Sequence, residues 1–274
     1  MSFRKGLLGL ALCALSPAVA LAQDSRVIEG GYEITFAGLA GFRIDFTARI
    51  DGTSYDVESH TFKESVLRAL TMQYDGRNRA WGTFGPKGAQ PSGGSLSLLI
   101  DRKPRTWRAQ YGPGGTLTET HDPEWKPQPK DAIPDDKRTG SLDPLSAAIG
   151  AGTKGEAACD QVAPSNDGQR RIDVILHKVE VVPAAQSGIA GVHGDVLVCT
   201  VYTKRIAGLF YDQPEEDESD HERPFKLWLA RLDDMPFYYP AKLEASTGFG
   251  AIRGRLLFFR ERPLTEEEKV AIRH

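Results

Sequence analysis

Cysteine is scarce: three residues in a chain of 274. That excludes a dense disulfide framework and a thiolate metal cluster. Histidine is sparse too, and His60, His121, His177, His193, His221 and His274 form neither HExxH nor a His-x-His pair, which leaves zinc without support. No GxSxG segment occurs, so the nucleophile elbow of α/β-hydrolases is missing. The glycines of "GFGAIRG" lack the Lys-Ser/Thr of a phosphate loop and run into a strand-like segment rather than a helix. Positive charge is short of negative charge, with 34 Lys and Arg against 37 Asp and Glu, so there is no electrostatic footprint for nucleic acid. No internal repeat is visible. The sequence therefore predicts no catalytic constellation, no metal and no cofactor.

Long apolar runs are also missing, with one short exception at the start. Residues 1–22 read "MSFRKGLLGLALCALSPAVALA". Arg4 and Lys5 precede an apolar run from Leu7 to Leu15, and Ala20-Leu21-Ala22 makes a small-x-small site. This is the pattern of a cleaved secretory leader. The run is shorter than the roughly 20 residues a membrane span needs. Leu12, where a small residue is required, argues against a lipid-anchored Cys13. Cleavage removes Arg4 and Lys5 and takes the net charge from −3 to −5. It also removes Cys13 and leaves Cys159 and Cys199. An even pair in an exported chain reads as a disulfide, and the expected compartment is the periplasm.

The rest is rich in glycine (28), proline (17) and short β-branched runs, the profile of a β protein with many turns. In "FRIDFTARI", Phe42, Ile44, Phe46, Ala48 and Ile50 face one way, and Arg43, Asp45, Thr47 and Arg49 the other. Asp51-Gly52 predicts a hairpin. "KESVLRAL" fits a short helix over 63–70, or an irregular strand. Residues 112–141 hold five prolines and little apolar periodicity, and read as a long surface excursion within a single domain, 23–274. "DPLSAAIG" predicts a helix with Asp143 as N-cap and Pro144 at its first position. Thr265 and Glu268 form a capping box for a terminal helix. The acidic stretch 212–222 lacks the glycine turn and ligand spacing of a calcium loop and reads as solvated.

The order of segments carries a resemblance. A "DPLSA" helix, a cysteine, "DGQRRIDVIL", a second cysteine in "CTVYTKRIAG" and "KLWLARLDDMPFYYPAKLEASTGFGAIRGRLL" follow an opening "GYEITFAGLAGFRIDFTARIDGTSYDV". This resembles the secreted bacterial family filed as domain of unknown function 3108, in its two-cysteine, alphaproteobacterial form. The resemblance implies a periplasmic protein built on a strongly curved, mostly antiparallel sheet. It supports the disulfide and supplies no site residues and no catalytic activity. The proline-rich excursion and the acidic insert after Gly208 depart from it.

The expected fold is therefore mainly β: a half-barrel or spiral with two or three short helices. Such a sheet has a concave face suited to a lipid, an acyl chain or a hydrophobic protein segment. Period-two alternation puts Leu227 with Leu229 and Leu256 with Phe258 on inward faces, with Trp228 and Tyr238 at the rim. The expected function is non-enzymatic: binding of a hydrophobic ligand or an envelope protein. The alternative is a structural factor for envelope integrity without a small-molecule ligand. No transmembrane span is expected after cleavage. The exported protein should begin at Gln23, which intact mass of the periplasmic form measures; a chain still starting at Met1, or a lipid on Cys13, would refute the leader.

Overall fold

The computed structural model describes residues 25–63, 74–86, 88–122, 132–208, 224–231, 237–248 and 250–272. The leader, the 63–70 helix beyond Lys63 and the acidic stretch fall outside them. All thirteen strands belong to one open antiparallel sheet. A first meander runs through β1 (Arg26–Phe36), β2 (Leu39–Asp51), β3 (Ser54–Lys63), β4 (Tyr74–Gly85), β5 (Gly88–Ile100), β6 (Lys103–Tyr111) and β7 (Leu117–Asp122). A second runs through β8 (Gln161–Asn166), β9 (Arg171–Pro183), β10 (Asp195–Ala207), β11 (Phe225–Arg231), β12 (Tyr238–Thr247) and β13 (Gly250–Pro263). β13 pairs with β1, so the first and last strands lie together mid-sheet while β7 and β8 form its two edges. The mainly β expectation holds. Four short α-helices are described rather than two or three: α1 (Asp135–Arg138), α2 (Pro144–Gly152), α3 (Ala184–Ser187) and α4 (Glu266–Ile272).

Local sequence explains most boundaries. Gly52 takes a positive φ in the Asp51-Gly52 hairpin. Asp143 caps α2, its Oδ1 accepting from the Ser146 amide at 2.9 Å, with Pro144 at the first helical position. At α4, Thr265 Oγ1 accepts from the Glu268 amide and Glu268 accepts from the Thr265 amide, the reciprocal box that the sequence predicts. The proline-rich excursion is more structured than its composition implies. It contains β7, α1 and a return strap that reaches α2.

Among the sheet's register shifts, two touch the strands of the expected groove. Gly31 pairs with Phe258 but Tyr32 with Leu256, leaving Leu257 as the extra residue. A second shift falls between Trp228 and Leu229. The pair Gly30-Gly31 in β1 leaves room for rings on opposite sides: a Cβ on Gly30 would strike Phe46, and one on Gly31 would strike Phe258.

The core has two clusters. The larger gathers Ile28, Ala48, Ile50, Tyr55, Val57 and Ala80 from the first meander, Val196, Ala230, Tyr239 and Ala241 from the second, and Ile149 from α2. The smaller gathers Leu176, Leu197, Val201, Leu229 and Tyr238 around Cys159 and Cys199. The two sulfurs stand at disulfide distance, with Cα atoms 5.4 Å apart, and both residues are fully buried. The cross-link ties the short 3-10 turn Gly155–Cys159 to the middle of β10 across 40 residues of sequence. Chain entropy assigns such a loop about 4 kcal/mol. Cys199→Ser should therefore lower the melting temperature by roughly 10 °C, at about 2–4 °C per kcal/mol for a chain of this size. Thermal melts of parent and variant, both purified under oxidising conditions, measure it; coincident midpoints would refute a stabilising cross-link.

Candidate functional site

The sheet curls until its edges meet. Asn166, in β8, donates through Nδ2 to Oε1 of Glu119, in β7, at 3.0 Å. The same oxygen accepts from Trp107 Nε1 of β6 at 3.1 Å. Arg138 of α1 lies 3.4 Å from the other carboxylate oxygen. Burial pushes the Glu119 carboxyl above its usual range, against the opposing pull of Arg138, Trp107 and Asn166. The strap between α1 and α2 fills the rest of the seam. Leu142 forms a parallel bridge with Ser165, its amide donating to the Pro164 carbonyl at 2.9 Å and its carbonyl accepting from Asn166 at 2.7 Å. Gly140 donates to the Gly115 carbonyl at 3.3 Å on the β7 side.

α2 leaves this seam and touches β4, β5, β8 and β12, strands from both halves of the sheet. Tyr55 Oη and Ser146 Oγ share a hydrogen bond of 2.8 Å beneath it. Gly152, where a Cβ would meet Phe237 and the Tyr238 backbone, lets the helix end press on the start of β12.

Between α2 and the sheet lies a cavity of about 300 Å³. Ile28 and Tyr32 of β1, Ile44 and Phe46 of β2, and Phe259 of β13 form much of its wall; Leu145, Ala148 and Ile149 of α2 close one side. Val57, Ser59 and Thr61 of β3, Phe237 and the residues 238–240 also line it, and none of the described residues that line it is charged. Its position follows from the strand pairing. β12 pairs with β13 only over Lys242–Thr247, and beyond that β13 pairs with β1 while β12 pairs with β11. Tyr32 spans this divergence, donating its hydroxyl to the Pro240 carbonyl at 2.7 Å. Tyr32 also stacks on Phe46, and Tyr239 on Phe259, with centroids 5.6 and 4.5 Å apart.

Of the six groove residues expected from sequence, Tyr238 lines this cavity. Leu227 and Leu229 instead pack in the disulfide cluster. Trp228 and Leu256 are half-buried against the larger cluster, and Lys242 Nζ sits 4.2 Å over the Trp228 ring. Phe258 departs from the shared face with Leu256: the bulge at Gly31/Tyr32 turns it to the opposite side, where Arg43 and Arg260 approach its ring. The main wall, on β1 and β2, reads from sequence only as a buried strand face. Its signal is the alternation in "FRIDFTARI", which fixes orientation but cannot tell a filled core from a lined cavity.

Comparison with protein-family models, with curated proteins and with solved structures finds no match to this chain.

Asp143 joins the seam to the cavity wall. It is buried, and its Oδ2 has no hydrogen-bond partner among the described residues. Burial raises its pKa from 3.8 to about 6, against the pull of the Ser146 hydrogen bonds. Folded Asp143 thus keeps a proton that the unfolded chain releases, so its contribution to stability falls as pH rises from about 4 to 6. An asparagine at this position keeps the cap and cannot ionise. The stability of Asp143→Asn relative to the parent should therefore rise by up to about 3 kcal/mol between pH 4 and pH 7, at 1.36 kcal/mol per pKa unit. Urea midpoints of both proteins at the two pH values give the difference; a pH-independent difference would refute the buried charge.

Proposed function

We propose that this chain is an exported, non-enzymatic protein of the periplasm that binds a hydrophobic ligand within its curved sheet. One observation carries the reading: an apolar cavity walled by β1, β2, α2 and the start of β12, with no charged side chain among the described residues of its lining. Ligand pockets are concave, mostly apolar and provided with a few polar groups, as this one is. The leader pattern and the paired cysteines support export to an oxidising compartment. The resemblance to domain of unknown function 3108 agrees with that location and with the absence of an assigned reaction.

A second reading, an envelope partner, is favoured by a different feature. Val162 of β8 and Tyr202 of β10 are exposed and flank Ile175 of β9 on one face of the sheet. Exposed apolar patches mark interaction surfaces. Under this reading the cavity has no ligand and the protein serves envelope integrity through contacts.

A neutral fluorescent probe, N-phenyl-1-naphthylamine, separates the two. The parent should bind it with enhanced emission, and Ala148→Trp should abolish the enhancement while the melting temperature stays close to parental. Ala148 lines the cavity and is exposed rather than packed in the core, so a larger side chain there occupies cavity space. No binding by the folded parent, or binding untouched by Ala148→Trp, would remove the ligand reading.

A further inference from the structure

Aromatic rings form much of the sheet side of the cavity, and their placement follows one row of residues. Gly30 of β1 pairs with Phe46 of β2 on one side and with Phe259 of β13 on the other. Paired residues share a face, so two phenyl rings flank a residue without a side chain. Phe46 uses that space: a Cβ on Gly30 would strike its ring, which therefore leans across β1 toward Phe259. Tyr32, two residues along the same face of β1, stacks on Phe46, and Tyr239 of β12 stacks on Phe259. The four rings form a belt across β2, β1, β13 and β12, and all four line the cavity. A fifth lining ring, Phe237, lies against Gly152 at the end of α2.

The belt is held in place. Tyr32 is anchored through its hydroxyl to the Pro240 carbonyl. Phe46 is confined between Tyr32 and the bare backbone of Gly30. Tyr239 is buried, and its ring lies within 17° of parallel to Phe259. Fixed flat walls favour a ligand that is itself flat and rigid, because neither side loses rotamer freedom on binding, whereas a flexible chain must give that freedom up. Contacts between rings also add to what buried area alone supplies. Polar groups adjoin one edge of the belt. Ser59 and Thr61 of β3 line the cavity beside Phe46 and Ile44, their pairing partners on β2. Ser59 Oγ accepts from Asn78 Nδ2 at 3.3 Å, which leaves its own proton to donate. At about 300 Å³ the cavity is at the small end of the roughly 300–1,000 Å³ typical of ligand pockets, room for a small fused ring system.

We infer that the cavity takes a planar aromatic molecule of two or three fused rings with a hydroxyl or carbonyl at its edge, the rings against the belt of Phe46 and Phe259 and the polar edge toward Ser59 and Thr61. The inference rests on the hydrophobic-ligand reading and names the ligand class and its orientation. Ring recognition comes from stacked and edge contacts, and orientation from the hydroxyls of β3.

Titration calorimetry of the full-length mature protein with two alcohols of one skeleton tests it: 2-naphthol, flat and aromatic, and decahydro-2-naphthol, saturated and puckered. Both are uncharged at neutral pH. Burial of apolar area alone would favour the saturated compound, which carries more hydrocarbon surface. The parent should instead bind 2-naphthol about tenfold more tightly, the scale of one or two ring contacts. Phe259→Leu should weaken 2-naphthol by about threefold and leave decahydro-2-naphthol unchanged. Phe258→Leu, on the opposite face of the same strand, should leave the preference intact. Equal binding of the two alcohols, or a preference for the saturated one, would overturn the aromatic assignment and leave hydrophobic binding standing; this comparison needs no variant, so a folding defect cannot obscure it. A preference undiminished in folded Phe259→Leu would also overturn it. If the folded parent binds neither alcohol the inference falls, and the ligand reading falls with it only where N-phenyl-1-naphthylamine also fails to bind.

Discussion

A sheet of thirteen antiparallel strands has two edges, and what becomes of them governs this molecule. Both belong to strands that follow one another in sequence, β7 and β8, joined by the segment that carries α1, the strap and α2. Their meeting is made by side chains and a strap rather than by a backbone ladder. Glu119 gathers Trp107, Asn166 and Arg138 at one point, and Leu142 offers β8 the backbone groups its missing neighbour would have supplied. Unpaired edges invite pairing with other chains. Here Pro164 has no amide proton to leave unpaired, Leu142 takes its carbonyl, and β7 turns Thr118, Thr120 and Asp122 to solvent.

The same closure creates the cavity. A sheet curled on itself must fill its interior, and α2 is the element that enters it. Small residues let it approach both halves: Gly150 lies against Ala89 of β5, and Gly152 against Phe237. A short helix cannot reach every part of the inner face. The uncovered part lies where β12 and β13 part, because a carbonyl freed from the ladder there still needs a donor. Tyr32 supplies it across the divergence, and a polar group of that reach holds the walls apart.

Much of this is legible in the sequence, because the relevant signals are local. Alternation marks the strands of the first meander, Asp143-Pro144 marks α2, Thr265 with Glu268 marks α4, and the cysteine pair marks the cross-link. β7 escapes because its inward residues are Leu117, Glu119 and His121, an alternation that is regular in geometry and mostly polar in chemistry. A hydrophobic pattern cannot reveal a strand whose buried face is built for hydrogen bonds. The expected groove differs from the observed cavity for a related reason. Period two holds only between bulges, and the bulge at Leu257 is set by a partner strand, β1, far away in sequence. The split of β12 from β13 has no local signal at all.

Closure and cavity meet in α2, which makes them mechanically one unit. Its cap, Asp143, abuts Gly94 of β5 at the seam, while Leu145, Ala148 and Ile149 wall the cavity one turn further on. A shift of the strap must therefore move the cavity wall. Two buried carboxylates serve this unit, Glu119 across the seam and Asp143 as the cap of α2, and burial drives both toward the neutral form. A buried carboxylate that loses its partners is costly, whereas a backbone ladder would have been insensitive to charge. The protein thus closes its sheet with the kind of contact that responds most to its surroundings, and it hangs the cavity wall from that contact.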